Sequence, residues 1–380
     1  MKKIQYDLLY LAACGVKGTC PAANRVQEMN LENLYRISRM HSIEALVGTV
    51  LEKAGIELPK EWSQKIGQAV RKAILFDTER TKLLSFMEQN GIWHLPLKGV
   101  ILKDYYPAVG MRQMSDNDIL FDEKFRYEVQ AYMQSQGYET EYIDKGNHDV
   151  YMKKPIYNFE LHTALYGWPH PEKLIKYYEN IKERLLLNEG SAYGYHFSDE
   201  DFYIHTTSHA YKHYSGGGTG IRTLLDFYVY LKAKPELDFA YIERECEILG
   251  IAEFEKQSRI LCGKVFNEVL DKDWNTLEQQ LSQEDKEMLE VYLYSGVYGT
   301  TDRRITNAVQ KIQEENKSFP KLRYLWKRLF PGPEMYKRYL PAAKKHKWLL
   351  PLGWLIRLLA VFFGGKTKKI MDEMQKVKKI

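Results

Sequence analysis

The chain has 380 residues, 44% hydrophobic, 28% charged and 13% aromatic, with 28 tyrosines. That composition predicts two or three folding units with real cores and excludes a disordered or fibrous protein. The longest apolar candidate, Trp348 to Phe363, contains Arg357 and falls short of the ~20 uninterrupted residues that a spanning helix needs, so an integral membrane protein is not expected. The net charge of +5 is uneven: residues 321–380 carry 16 Lys and Arg against 3 acidic residues, which leaves the preceding 320 residues with a net charge of −8. The basic character is that of the tail, which argues against nucleic-acid binding by the body. Four cysteines without C-x-x-C spacing suggest neither a disulfide framework nor a zinc ribbon, and fit reduced thiols in a cytoplasm.

In chain order, residues 1–90 read as a helical region, because Leu, Ile and Val recur at three- and four-residue steps through Leu31–Leu51 and Trp62–Met87. Leu8, Leu9 and Leu11 predict an amphipathic first helix. Leu11-Ala12-Ala13-Cys14 imitates a lipoprotein cleavage site, but Asp7 and tyrosines interrupt the apolar run before it. Residues 91–200 form an expected mixed α/β core. Gly91–Gly99 is a short apolar run that reads as a strand ended by glycine, followed by a helix over Val100–Tyr106 and a stop at Pro107. Ser115–Phe121 reads as a second strand, Phe125–Gln136 as a helix, and Asp149–Met152 and Tyr157–Thr163 as two further strands. Residues 201–330 are an expected helical domain, interrupted by Ser215-Gly216-Gly217-Gly218-Thr219-Gly220, and 331–380 are a basic, Trp-containing tail. The fold class is thus α+β, a small mixed sheet flanked by helical regions.

Asp116-Asn117-Asp118 is the sharpest chemical feature. Strand alternation sends both carboxylates to one face, where they can share divalent cations, and Glu160 in a later strand supplies a third. A solvent-facing polar edge is the bland alternative. Lys98-Gly99 at a strand-to-helix junction suits phosphate, since glycine admits close backbone approach and lysine adds charge; Arg112 offers a fork for phosphate oxygens. His205, His209 and His213 fall on one helical stripe, but no acidic residue lies between them, so zinc is less favoured than a place in the active-site cleft. The glycine cluster before Arg222 reads equally as a phosphate loop and as a plain flexible loop, and Asp226 is spaced to pair with Arg222.

Leu97-Lys98-Gly99, Tyr105-Tyr106-Pro107, Arg112, Ser115–Leu120 and Glu160-Leu161-His162, followed by His205-x-x-x-His209-x-x-x-His213 and Gly220–Asp226, resemble the successive motifs of the uncharacterised bacterial nucleotidyltransferases in the DNA polymerase beta-like superfamily. The resemblance implies a magnesium-dependent enzyme, with Mn2+ as the alternative metal. It would transfer a nucleoside monophosphate from an NTP to an acceptor hydroxyl, with Asp116, Asp118 and Glu160 as metal ligands and catalytic residues. Lys98, Gly99, Arg112, Ser115, His162, His209 and Arg222 are the expected nucleotide contacts. The usual Gly-Ser pair of the superfamily is here Gly99-Val100, which removes one hydroxyl contact. The rival readings are a catalytically silent nucleotide-binding scaffold and a nucleotidylating toxin. The acceptor, whether small molecule, glycan, protein or RNA, and the oligomeric state stay open. Residues 348–363 suit contact with a membrane surface as well as packing on the body, so a cytoplasmic protein touching the inner membrane face is compatible with the tail.

Overall fold

The computed structural model describes residues 3–144, 146–315, 318–330 and 346–349, together with 351–353, 355, 356, 359, 373, 376 and 377. The chain divides into two compact units, Met1–Tyr211 with Gly220–Val297, and Lys212–Thr219 with Tyr298–Ile380. In the first unit α1 (Lys3–Lys17), α2 (Ala23–Gln27), α3 (Leu31–Met40), α4 (Glu44–Lys53) and α5 (Lys60–Gln89) precede the sheet. The expected amphipathic α1 is instead buried all round, from Gln5 to Val16, because helices pack on more than one of its faces. Its Asp7 is tolerated inside by Lys3, 3.6 Å away on the next turn.

The sheet comprises β1 (His94–Pro96), β2 (Asn117–Phe121), β3 (Glu139–Tyr142), β4 (His148–Lys153) and β5 (Tyr157–His162), in the order β1-β2-β5-β4-β3. The short α6 (Gly99–Leu102) follows β1, and α7 (Arg126–Ser135) follows β2. Only the β2–β5 pair is parallel. Alternation sends Ile119 and Phe121 of β2, Tyr151 of β4, and Phe159 and Leu161 of β5 to one face. There they form a core with Leu83 and Met87 of α5 and Val129 and Met133 of α7. The opposite face therefore receives Asp118, Glu160 and His162. This mixed sheet with flanking helices is the architecture expected of the sequence, although β2 begins at Asn117, so Ser115 and Asp116 lie just before it.

The rest of the first unit is helical apart from β6 (Leu186–Leu187) and β7 (Tyr195–His196), a two-stranded ribbon. Its helices are α8 (Glu172–Tyr177), α9 (Asp199–Gly216, whose last residues belong to the second unit), α10 (Ile221–Ala233), α11 (Phe239–Leu249), α12 (Ala252–Glu268), α13 (Trp274–Gln280) and α14 (Gln283–Ser295). Local chemistry sets several ends: the Asp238 side chain caps α11, Gly250 ends it in the left-handed region, and Ser282 with Asp285 forms a reciprocal capping box on α14.

The second unit contains α15 (Thr301–Glu314) and α16 (Pro320–Leu329). Ile305 and Val309 pack with Val377, and Arg328 binds Glu373 through two hydrogen bonds of 2.7 and 3.1 Å. The glycine cluster is not an open loop: Gly217 to Gly220 are buried, and the Gly217 carbonyl accepts from the Thr300 N–H at 2.7 Å. In the first unit, a Cβ at Gly220 would stand 2.8 Å from His41 Nδ1, so only glycine fits there. Of the apolar segment 348–363, Trp348 is exposed; Leu350, Trp354, Arg357, Leu358 and 360–363 lie outside the described residues.

Candidate active site

The parallel pairing of β2 and β5 places Asp118 opposite Glu160 and Leu120 opposite His162. One ligand atom each from Asp118, Glu160 and His162 lies within 4.8 Å of the others. Lys98, at the end of the β1 turn, brings its Nζ to 3.3 Å from Asp118 Oδ2, and His162 Nε2 lies 3.4 Å from Asp118 Oδ1. The turn is held to β2 by the Leu97 N–H, which donates to the Asp118 carbonyl at 2.9 Å. Antiparallel β4 adds His148, whose Nε2 is 3.9 Å from Glu160 Oε2 and whose ring centroid is 5.1 Å from that of His162.

The carboxylates are not equivalent. Burial pushes the Asp118 carboxyl up, but Lys98 and His162 outweigh it and hold Asp118 well below the ordinary carboxylate range. Asp116 is raised, first by burial and then by Asp118, with Lys98, Ser115 and Arg222 opposing. Glu160 is also raised, by burial and then by Asp118 and Asp116. The Lys98–Asp118 ion pair leaves the Asp116 and Glu160 carboxyls raised, and a divalent cation beside them would oppose that shift.

The donor set suits a divalent metal. Two carboxylates provide the oxygens that Mg2+ and Mn2+ prefer, and the imidazole adds a nitrogen that transition metals accept more readily than Mg2+ does. Asp116 lies outside this three-atom group but within its field.

The other expected contacts divide. Around Asp116 stand further cations: Lys72 of α5, whose Nζ donates to the Ser115 carbonyl at 3.2 Å, and Arg222 of α10, which donates to the Gln113 carbonyl at 3.3 Å. Both Lys72 and Arg222 sense the Asp116 charge. Gly99 sits beside Arg112, whose NH1 would lie 3.3 Å from a Cβ added there.

Arg112, expected to offer a free fork, has its fork occupied. Its Nε and NH2 donate to the two oxygens of Asp226 at 2.8 and 2.9 Å, its NH1 donates to the Gly99 carbonyl at 3.2 Å, and the Tyr106 hydroxyl donates to Asp226 Oδ1 at 2.8 Å. Asp226 therefore pairs with Arg112 rather than with Arg222.

The histidine stripe is also divided. His205 is buried among Tyr166, Tyr178 and Phe197, with ring centroids 5.3 to 6.0 Å away, and so is a core residue. His209 is half-buried one turn on, and His213 is exposed in the second unit. Sequence reasoning did not single out His148 or Lys72. His148 was recoverable from strand alternation given the β4–β5 register, whereas nothing local marks Lys72.

The mixed sheet thus presents an aspartate, a glutamate and a histidine on one face, beside a lysine-glycine turn. The chain belongs to the uncharacterised nucleotidyltransferase family, whose model matches residues 27–267. Family membership supports nucleotidyl transfer as the general activity, with an NTP as substrate and a divalent metal as cofactor. No curated protein and no solved structure matches the chain. Among the described residues no helix is long and apolar enough to cross a membrane.

Proposed function

We propose that this protein is a magnesium- or manganese-dependent transferase that moves a nucleoside monophosphate from an NTP to an acceptor hydroxyl. The observation that carries this reading is the in-register pairing of Asp118 with Glu160, which gathers two carboxylates and His162 within 4.8 Å. Asp118, Glu160 and His162 would hold the metal, with Asp116 beside them. When bound, the metal supplies charge neutralisation at the phosphate oxygens and polarisation of the reacting centre.

The chain's own groups account for the rest. Lys98, Arg222 and Lys72 place positive charge at the Asp116 end, which suits the β- and γ-phosphates of the nucleotide. Asp118 is kept ionised by Lys98 and oriented by His162. The acceptor oxygen attacks the α-phosphorus, the bond from that phosphorus to the bridging oxygen breaks, and pyrophosphate leaves. A Glu160 carboxylate oxygen takes the hydroxyl proton.

The test is a thermal-shift series with ATP, CTP, GTP and UTP, each with and without Mg2+ or Mn2+, on the wild type and on Asp118→Asn. A ligand at a hundred times its dissociation constant stabilises the native state by ~2.7 kcal/mol. A metal-dependent shift with at least one nucleotide, lost in Asp118→Asn, is the expected result. No shift with any nucleotide would sink the reading.

A further inference from the structure

We infer that the cavity of about 430 Å³ beyond the carboxylate cluster, walled by Trp93, Leu120 and the segment 178–183, is the acceptor pocket, and that its acceptor is a sugar or a similar cyclic polyol. The inference rests on the transfer reading above and adds the substrate class.

Position is the first argument. Along β2, Asp118 and Leu120 share a face, two residues apart, about 7 Å. The lysine-glycine turn meets β2 at Asp118, while Trp93 meets its other end, where the Asp122 N–H donates to the Trp93 carbonyl at 3.2 Å. The sheet face thus carries, in order, the Lys98 cation, the carboxylates with His162, and then the cavity, which reaches Leu120 and the residues that follow β5, Thr163 and Ala164. In-line displacement puts the entering oxygen opposite the leaving pyrophosphate. With the phosphates at the cationic end, the entering oxygen comes from the cavity side.

Chemistry is the second argument. The buried lining is apolar at Leu120 and Ile181, and one wall is the half-buried indole of Trp93. The rim carries Glu179, Asn180, Lys182 and Glu183, all exposed. An indole accepts the C–H face of a pyranose, and a rim of carboxylate, amide and ammonium groups supplies acceptors and donors for its hydroxyls. Two glutamates against one lysine make the rim net negative, which disfavours a phosphorylated acceptor or RNA. The Lys182 ammonium lies over the Trp93 ring, 5.5 Å from its centroid, so a sugar stacking on that face would displace it toward the ligand's hydroxyls. Thr163 is fixed from behind by Arg126, whose NH2 donates to its hydroxyl at 2.9 Å, and Asn147 ND2 donates to the Ala164 carbonyl at 3.0 Å, so this part of the wall is preformed.

The test uses saturation-transfer NMR on the full chain with glucose, galactose, glucosamine and N-acetylglucosamine as probes at millimolar concentration. The wild type is expected to transfer saturation to at least one of them. Trp93→Ala should weaken that sugar's affinity by about tenfold or more, the size of an aromatic wall's contribution. A second variant, Glu179→Gln with Glu183→Gln, alters only exposed side chains and should weaken it as well without affecting the fold. The metal-dependent nucleotide shift should persist in both variants. Absence of transfer to every sugar in the wild type, or transfer unchanged in both variants, overturns the inference. Sugar binding without any nucleotide shift would instead sink the transfer reading and, with it, the acceptor role.

Discussion

Asp226→Asn isolates the buried ion pair that occupies Arg112. Both residues are about 7% exposed, and the guanidinium meets the carboxylate through two hydrogen bonds of 2.8 and 2.9 Å. The amide keeps the volume but loses the charge, leaving an uncompensated guanidinium inside, a change that costs about 3–5 kcal/mol in buried pairs. It also makes the Tyr106 hydroxyl share a weaker acceptor. For a folding unit of this size, the cost corresponds to a fall of about 5–8 °C in Tm. The assay is thermal and urea unfolding of the wild type, Asp226→Asn, Arg112→Met and the double variant. The double variant should recover part of the loss, because neither charge is then stranded. Nucleotide affinity, measured well below Tm, should be unchanged in Arg112→Met. The reasoning is refuted if Arg112→Met keeps wild-type stability but loses nucleotide binding, since the guanidinium would then serve phosphate rather than Asp226.

Glu160→Gln should abolish metal-dependent transfer, measured as release of pyrophosphate, while leaving Tm within a few degrees or raising it, because a raised carboxyl beside two aspartates is relieved of its charge. His41 is fully buried, accepts from the Ile221 N–H at 3.2 Å, and is lowered by burial from 6.5 to about 4. Between those values the unfolded chain binds the extra proton, so stability is intact above pH 6.5 and declines as the pH falls toward 4. The loss from pH 7.5 to pH 5 should be about 2 kcal/mol, and His41→Asn should remove this part of the slope in urea titrations. Gly110 has φ +87° and a Cβ there would meet the Val70 backbone nitrogen at 2.8 Å, so Gly110→Ala should cost about 2–3 kcal/mol in the same titrations. With Mn2+ in place of Mg2+, the nucleotide shift should be at least as large, because His162 contributes nitrogen; replacing His162 by Asn should narrow that preference.

Four of the five strands were legible because they are short alternating or apolar runs bounded by turn residues, and the core face of β2 and β5 can be counted off in twos from Ile119 and Phe159; β3, Glu139–Tyr142, was not read, because its half-exposed polar run carries no apolar alternation. Which carboxylates meet was harder to read. Asp118 and Glu160 become neighbours only through a parallel pairing across some forty residues, and no local pattern sets that register. The Arg112–Asp226 pair spans 114 positions, so the same arginine reads as a free fork in sequence and as a core ion in three dimensions. α1 misled for the reverse reason: its leucines predict one apolar stripe, yet several helices around it bury the polar side as well. His205 illustrates the ambiguity of residue type, since nothing within its own helix announces Tyr166, Tyr178 and Phe197.

The strand order has a consequence for biogenesis. β5, the last of the five in the chain, lies between β2 and β4, so a ribosome that has finished only the first four strands has made two open edges with nothing to join them. The antiparallel β1–β2 and β3–β4 pairs can close first, but the second edge of β2 must wait for β5 from well downstream, and that non-local step is the slow kind. Its arrival also drives Glu160 against Asp118. The last zipper of the sheet is therefore the event that crowds the negative charges, and divalent cations present during synthesis should speed it as well as serve the finished protein.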